Sequence, residues 1–553
     1  MGCLLTWRTA IQERHRSAER AQPAWMVWPP CLAPFLPVIA DAGLFGEEAA
    51  VPTDCLPDNP DLGKLKDHAK GLRDLVRAGI EGSITLVREH HPRFGDLTTG
   101  SSAATGFKLA DAQLTVARHY GFASWAKLRD YVETVNRLTR SPHEQSLGGP
   151  IGDDALRADE LLRLACLNYG NDHPARWADA DRLLAEHPHL AAHSILTAAA
   201  VGDLDAVQAH LARDPDAAER EGGPFGWPPL LYLTYSRLGP GAGRDPVGVA
   251  KLLLETGADP NAGYLFDGLP SPFTALTGVF GGGEQGAPPH RDELVLARLL
   301  LAAGAEANDS QTIYNRGAGD IARDDTDFLE LLLDHGLGHG DGGPWRRLLD
   351  HGHQTPIEIT AEALQRAAEA GLERRVRLLL SRGVDPNIAG THPGYNGRSP
   401  YEGAILHGNT AIAELLVIAG AQPITVDPFS PFIGACLAGA RRAVSEAVVA
   451  NPELLASVLA ERGDLVVRAA ELGRGDAIRL LIDLGFDVNA RRRTTALHEA
   501  ALHGNLPIAM LLIELGADPT IVDTEHNSTP AGWAEHSAHT GIAEYLQQLS
   551  RPE

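Results

Sequence analysis

Cysteine, methionine and aromatic residues are all scarce in this chain. Its 553 residues include 5 cysteines and 3 methionines, and Phe, Trp and Tyr together make up 6%. Cys3, Cys31, Cys55, Cys166 and Cys436 are odd in number, scattered, and never spaced as CxxC. That excludes a disulfide framework and a cysteine-based metal site, and it fits free thiols in a reducing, cytoplasmic compartment. Cations are short as well: 48 Lys and Arg stand against 72 Asp and Glu, a formal net charge of −24. Nucleic-acid binding needs clustered cations and is not expected, whereas a protein partner with a basic patch is. No GxSxG, P-loop, HExxH or kinase set occurs, and Gly281-Gly282-Gly283 lacks a following Lys-Ser/Thr. The pairs His90-His91, His187/His189 and His351/His353 have no companion ligands, so neither a metal nor a cofactor is expected.

Long apolar runs are missing too. Residues 1–22 carry Arg8, Arg14, Arg16 and Arg20, and residues 24–40 read AWMVWPPCLAPFLPVIA. That run is short for a membrane span, and Pro29, Pro30, Pro34 and Pro37 break the helix that a span or a signal peptide needs. Residues 1–60 therefore read as a disordered leader or an over-long translation start. Ala, Gly, Arg and Pro in place of Lys point to a high-GC bacterial source.

What is abundant is a degenerate repeat. GADPNAG at 257–263 returns as GAEANDS (304–310), GVDPNIA (383–389), GAQPITV (420–426), GFDVNAR (485–491) and GADPTIV (516–522), each after a Leu-rich segment. Gly485 and Gly516 are 31 residues apart, Gly383 and Gly420 are 37, and Gly257 and Gly304 are 47. A period of about 33 residues predicts a solenoid, in which no unit buries its apolar face alone and stacking supplies the stability.

The motifs between those glycines define the unit. Thr494-Thr495-Ala496-Leu497-His498-Glu499-Ala500-Ala501 and the following Leu502-His503-Gly504-Asn505 resemble the T-P-L-H-x-A first helix and turn of ankyrin repeats. Arg398–Asn409 is a second copy, and Ser528-Thr529-Pro530 opens an atypical last one. The resemblance covers roughly residues 194–550. It implies an all-α array of about nine or ten helix-turn-helix units, non-catalytic protein recognition through its concave face, and His498 as a structural residue. Thr-Pro and Ser-Pro start helices by capping, and Gly504-Asn505 and Gly408-Asn409 end them in the left-handed conformation.

Ahead of the array, residues 61–140 show helical spacing, with helices across 62–94, at KLADAQLTVARHYGF, and at SWAKLRDYVETV capped by Ser124. This small helical module resembles a segment that often precedes ankyrin arrays in bacterial proteins. It is expected to be joined by a linker (141–154) and a helical cap (155–193) to the array at 194–550.

Three segments, 222–246, 261–293 and 308–328, read as long loop insertions in consecutive repeats. They concentrate aromatics in an aromatic-poor chain. Phe225, Trp227, Tyr232, Tyr264, Phe266, Asp267, Tyr314, Asn315 and Arg316 are the expected protein-binding residues, since such side chains anchor interfaces. The opposing reading has the rings pack on one another to hold the loops. An alternative function, an enzyme or small-ligand site, would use the same loops and frame a pocket with Asp267, Asn315, Arg316, Asp320 and Asp325. Arg491-Arg492-Arg493 and Arg374-Arg375 read as solvated. The expected protein is a monomer, away from any membrane.

Overall fold

The computed structural model describes residues 56–549 except 58, 146–152, 171, 284–285, 318–323, 350–352, 426 and 538. Nearly all of the expected leader, half of the linker, Cys3, Cys31, Cys55, Asp320 and His351 lie outside the described residues. The rest falls into two compact units. One holds the chain up to Gly403 together with Ala411–Ile424, and the other holds Ala404–Thr410 together with the chain from Thr425.

The first unit opens with helices Leu62–Arg77, Glu81–His90, Leu109–His119 and Trp125–Leu138 and a short turn at Ser102–Thr105. Apolar residues at helical spacing, Leu65, Leu72, Val76, Ile84, Val87, Val116, Leu128 and Val132 among them, close over a core of their own. Capping fixes the helix starts: Asp61 accepts the Lys64 N–H and Ser124 the Lys127 N–H. Asp111 returns to the Lys108 N–H at 3.1 Å and pairs with Arg93 at 2.7 Å, while His91 packs on Phe94 and Phe107. The motif residues of this segment thus work as packing and turn residues. Helices Asp154–Ala165 and Pro174–Glu186 follow and pack ahead of the first repeat.

Ten helix pairs then succeed one another among the described residues, from Ile195–Val201 with Leu204–Arg213 to Pro530–His536 with Thr540–Leu549. The first member of each pair is short, except Pro356–Ala370 with 15 residues, and mostly buried. Three of these first helices, Pro229–Tyr235, Ala275–Phe280 and Ser310–Gly317, lie inside the segments read as loop insertions. That expectation is corrected: the segments contain degenerate repeat helices. Pro228-Pro229 looks like a loop breaker, yet proline is well suited to the first helical turn, and large rings stand where the resembling motif has alanine. A further glycine-motif copy at Gly336 went unread because it follows as Leu-Gly-His rather than Ala-Asp-Pro. Its φ of 103° matches Gly304 at 101° and Gly516 at 95°.

The recurring asparagine has a physical job. Asn489 Nδ2 donates to the Gly516 carbonyl at 3.3 Å and its Oδ1 accepts the Asp518 N–H at 2.8 Å. Asn387 does the same to Gly420 and Gln422, and Asn261 to Gly304 and Glu306. Asp487, Asp385 and Asp259 each accept the N–H of the asparagine two residues on, and so hold it in place. Each of these three copies therefore clips its own turn to the next one.

One element departs from the all-helical expectation. Strands β1 (Thr139–Arg140), β2 (Gly263–Phe266) and β3 (Pro272–Thr274) form a small sheet in that order, with β1 parallel to β2 and β3 antiparallel to it. Tyr264, Phe266 and Phe273 suit a pleated surface, and β2 and β3 are buried almost throughout. The chain turns between them where Asp267 and Gly268 take φ of 51° and 81°.

Candidate protein-interaction groove

In the second unit, the helix Leu465–Glu471 and the start of the helix Ala496–Leu502 flank a groove of about 260 Å³. Its floor is apolar, from Leu406, Ile433, Leu437 and Leu465. Around it stand four arginines, Arg462, Arg468, Arg492 and Arg493, interleaved with Asp464, Glu471 and Glu499. Arg468 pairs with Glu471 at 2.5 Å and is about a quarter exposed. Arg492 stands 3.8 Å from Asp464 with its side chain 85% exposed, so most of its hydrogen-bonding capacity faces water. Arg493 lies 3.5 Å from Glu525 and 5.8 Å above the Trp533 ring. Burial pushes the Glu499 carboxyl up, and the Thr494 hydroxyl donates to it at 2.6 Å.

The frame beneath the groove is rigid. Thr495 N–H donates to His498 Nδ1 at 3.2 Å, which leaves the proton on Nε2, 3.0 Å from the Ser528 carbonyl in the next repeat. Burial lowers the His498 pKa and keeps this tautomer neutral. Arg474 donates to the carbonyls of His407 and Leu437 and to Asn409, tying three helix ends together. Burial alone would raise the Asp523 carboxyl, but N–H donors from His526, Trp533, Ser528 and Glu525 hold it well below the usual range.

Sequence reasoning missed this site. In the sequence Arg492 and Arg493 read as a solvated loop, and Arg462 and Arg468 carry no local signal. A spacing of about one repeat between Arg462 and Arg493 was the available clue, because equivalent positions of stacked units share a face.

The residues expected to bind a partner sit elsewhere. Phe225, Trp227, Tyr232, Tyr264 and Phe266 are buried, none more than 4% exposed. Trp227 stacks on Tyr264 at 5.0 Å and meets Tyr235 at 4.9 Å and Phe225 at 4.6 Å, and Tyr264 continues to Phe273 at 5.5 Å. The Tyr232 hydroxyl donates to the Gly222 carbonyl at 2.8 Å and accepts the Phe225 N–H at 3.1 Å. The structure brings these rings together as an interior cluster: Tyr232 lies in the helix Pro229–Tyr235, Phe225 and Trp227 in the turn before it, and Tyr264 and Phe266 in β2, so they pack on one another. Tyr314 lies under Arg366 at 4.7 Å, and Arg316 is held by Asp325 and Phe328. Asn315, buried, accepts from Gln311 and donates to the Tyr169 hydroxyl at 3.2 Å. Asp267 faces Ser141 and His143 instead. Of the five residues that would frame a small-ligand pocket, Arg316 and Asp325 pair with each other, Asp267 and Asn315 face other partners, and Asp320 lies outside the described residues.

A family model for ankyrin repeats matches residues 436–550 in three copies. Residues 436–550 are ankyrin repeats. Arg462, Arg468, Arg492 and Arg493 all fall within them, and ankyrin repeats are in general protein–protein interaction modules. The chain is also similar to the palmitoyltransferase Hip14 of Drosophila melanogaster, 35% identical over 83 residues, which is 15% of this chain and 13% of that protein. Among the described residues no single helix is long and apolar enough to cross a membrane, and no three His, Cys, Asp or Glu side chains gather as metal ligands.

Proposed function

We propose that the chain is a non-catalytic, cytoplasmic recognition scaffold of bacterial origin, acting as a monomer, and that it binds a protein partner through the arginine-rimmed groove of its ankyrin repeats. The observation that carries this reading is local charge against global charge. Four arginines stand against three carboxylates around one apolar-floored groove, in a chain where 72 Asp and Glu outnumber 48 Lys and Arg. The expectation of a basic partner came from that net charge. At the groove the complement is acidic: an extended segment with an apolar side chain for the floor and carboxylates for Arg462 and Arg492. Guanidinium forks take carboxylates in a bidentate fashion, and a preformed groove loses little ordering entropy on binding.

Affinity capture from a native lysate with the full chain, beside an Arg462→Glu/Arg492→Glu bait, tests this. A protein held by the natural bait and lost from the folded charge-reversed one supports the groove. Equal recovery on both baits removes the groove from the function.

A further inference from the structure

The segment that follows the helix Trp125–Leu138 does not run free as a linker. Thr139 and Arg140 add as β1 to the edge of β2, pairing with Leu265 and Phe266, and the Arg140 carbonyl accepts the Asp267 N–H at 3.2 Å. Arg140 reaches Glu221 at 2.9 Å and the Gly226 carbonyl at 3.4 Å. Ser141 donates to Asp267 at 2.6 Å, and the His143 ring stacks on Phe266 at 4.9 Å with Nε2 3.4 Å from the other Asp267 oxygen. Backbone pairing along a sheet edge, with side-chain pockets beside it, is how folded domains take up extended peptides.

The packing around this segment is uneven. The helices before it enclose fifteen buried apolar side chains of their own. Against the repeats, among the described residues, Val135 forms a small buried apolar cluster with Leu265 and Leu349, on which the half-buried Tyr131, Leu138 and Trp345 pack. A cavity of about 370 Å³ opens along that seam, between Arg137 and Leu138 on one side and Leu230, Trp345 and Leu348 on the other. Polar handles dominate and remain wet: Glu221 is 57% and Asp267 43% exposed. Interfaces that are small, polar and incompletely packed open at low cost relative to the cores they join.

We propose that the edge of β2, with Glu221 and Asp267, is a strand-accepting peptide site that residues 139–143 fill as a displaceable occupant, and that it takes from another protein an extended segment carrying an arginine followed by a hydroxyl residue. Tethering presents the built-in occupant at an effective concentration on the order of mM, so a free competitor enters only when the tethered segment is weakened or released.

A fluorescein-labelled peptide of residues 137–144, titrated into the full chain by anisotropy, is the probe. In Arg140→Ala/Ser141→Ala the peptide should bind at least about tenfold more tightly than to the natural chain. Adding Glu221→Ala and Asp267→Asn should reverse that gain. Hydrogen exchange of the unaltered chain supplies a second reading that needs no variant: the Asp267 amide should exchange about a hundredfold faster than the amides of Val116 and Leu128. The proposal is overturned if the folded double variant fails to bind the peptide, if binding persists without Glu221 and Asp267, or if the Asp267 amide exchanges together with the helical core.

Discussion

Asn489 and Asp518 lie one repeat apart, and the Oδ1 of the first accepts the backbone N–H of the second at 2.8 Å. With the Gly516 carbonyl on its Nδ2, the asparagine adds a polar tie between two turns whose Phe486 and Ala517 share one apolar core. Asn489→Ala removes both bonds from an exposed site and should destabilise the second unit by about 1 kcal/mol. Asn489→Asp keeps the acceptor but sets a carboxylate oxygen against the Gly516 carbonyl, and should lose at least as much. Urea unfolding of the three proteins checks the order, and an alanine variant as stable as the natural chain would refute the clip.

Trp227 is 1% exposed and touched by four other rings. Trp227→Ala should cost about 3–5 kcal/mol through the cavity it leaves. Near-ultraviolet circular dichroism should lose aromatic signal, and the melting temperature should fall. A variant that melts unchanged but loses a partner would restore Trp227 to the binding surface.

Acid should weaken the first unit through His290. Burial, with Arg237 and Arg291 nearby, pushes its imidazole down from 6.5 to about 3. Above pH 6.5 the ring is neutral folded or unfolded and its contribution is complete. Below that the unfolded chain binds a proton the folded one refuses, so stability falls as pH drops toward 3, at up to about 1.4 kcal/mol per pH unit. Between pH 6.5 and 5, His290→Gln should flatten the dependence of the urea midpoint. An identical slope in the variant would count against the assignment.

Cys166 and Cys436 are buried, and burial pushes both thiols up to about 12. Thiolate is the reactive form, so iodoacetamide at pH 8 should modify neither until denaturant is added. Peptide-resolved mass spectrometry reads each cysteine separately, and prompt native labelling of either would mean that its surroundings open.

Charge reversal at Arg492 should leave stability within about 0.5 kcal/mol, because the side chain is 85% exposed and its ion pair is loose. Partner association through the groove should instead slow as salt rises from 50 to 500 mM. Salt-independent association would place recognition away from the arginines.

The repeat was legible where its chemistry is local. The Thr495–His498 hydrogen bonds, the left-handed glycines and the helix capped by Ser124 are all written within a few residues. What escaped depends on what stacks on what. Trp227 and Tyr264 look like interface anchors by type, and only their stacking on each other, on Tyr235 and on Phe273 shows them to be core. Arg462 and Arg493 are 31 residues apart in the sequence, and their sharing a groove needs the stacked fold. Residues 141–144 read as linker because Ser-Pro-His-Glu has no hydrophobic period, yet Asp267, 126 residues from Ser141, holds them.

That last distance sets a timetable. Most of the chain can settle as it leaves the ribosome, each unit closing on the one made just before. Residues 139–144 are different: at 5–20 residues per second their acceptor strand follows roughly 6–25 s later. For that interval the nascent chain carries an unpaired extended segment beside already folded helices, open to chaperones and proteases. Synthesis of β2 ends the exposure.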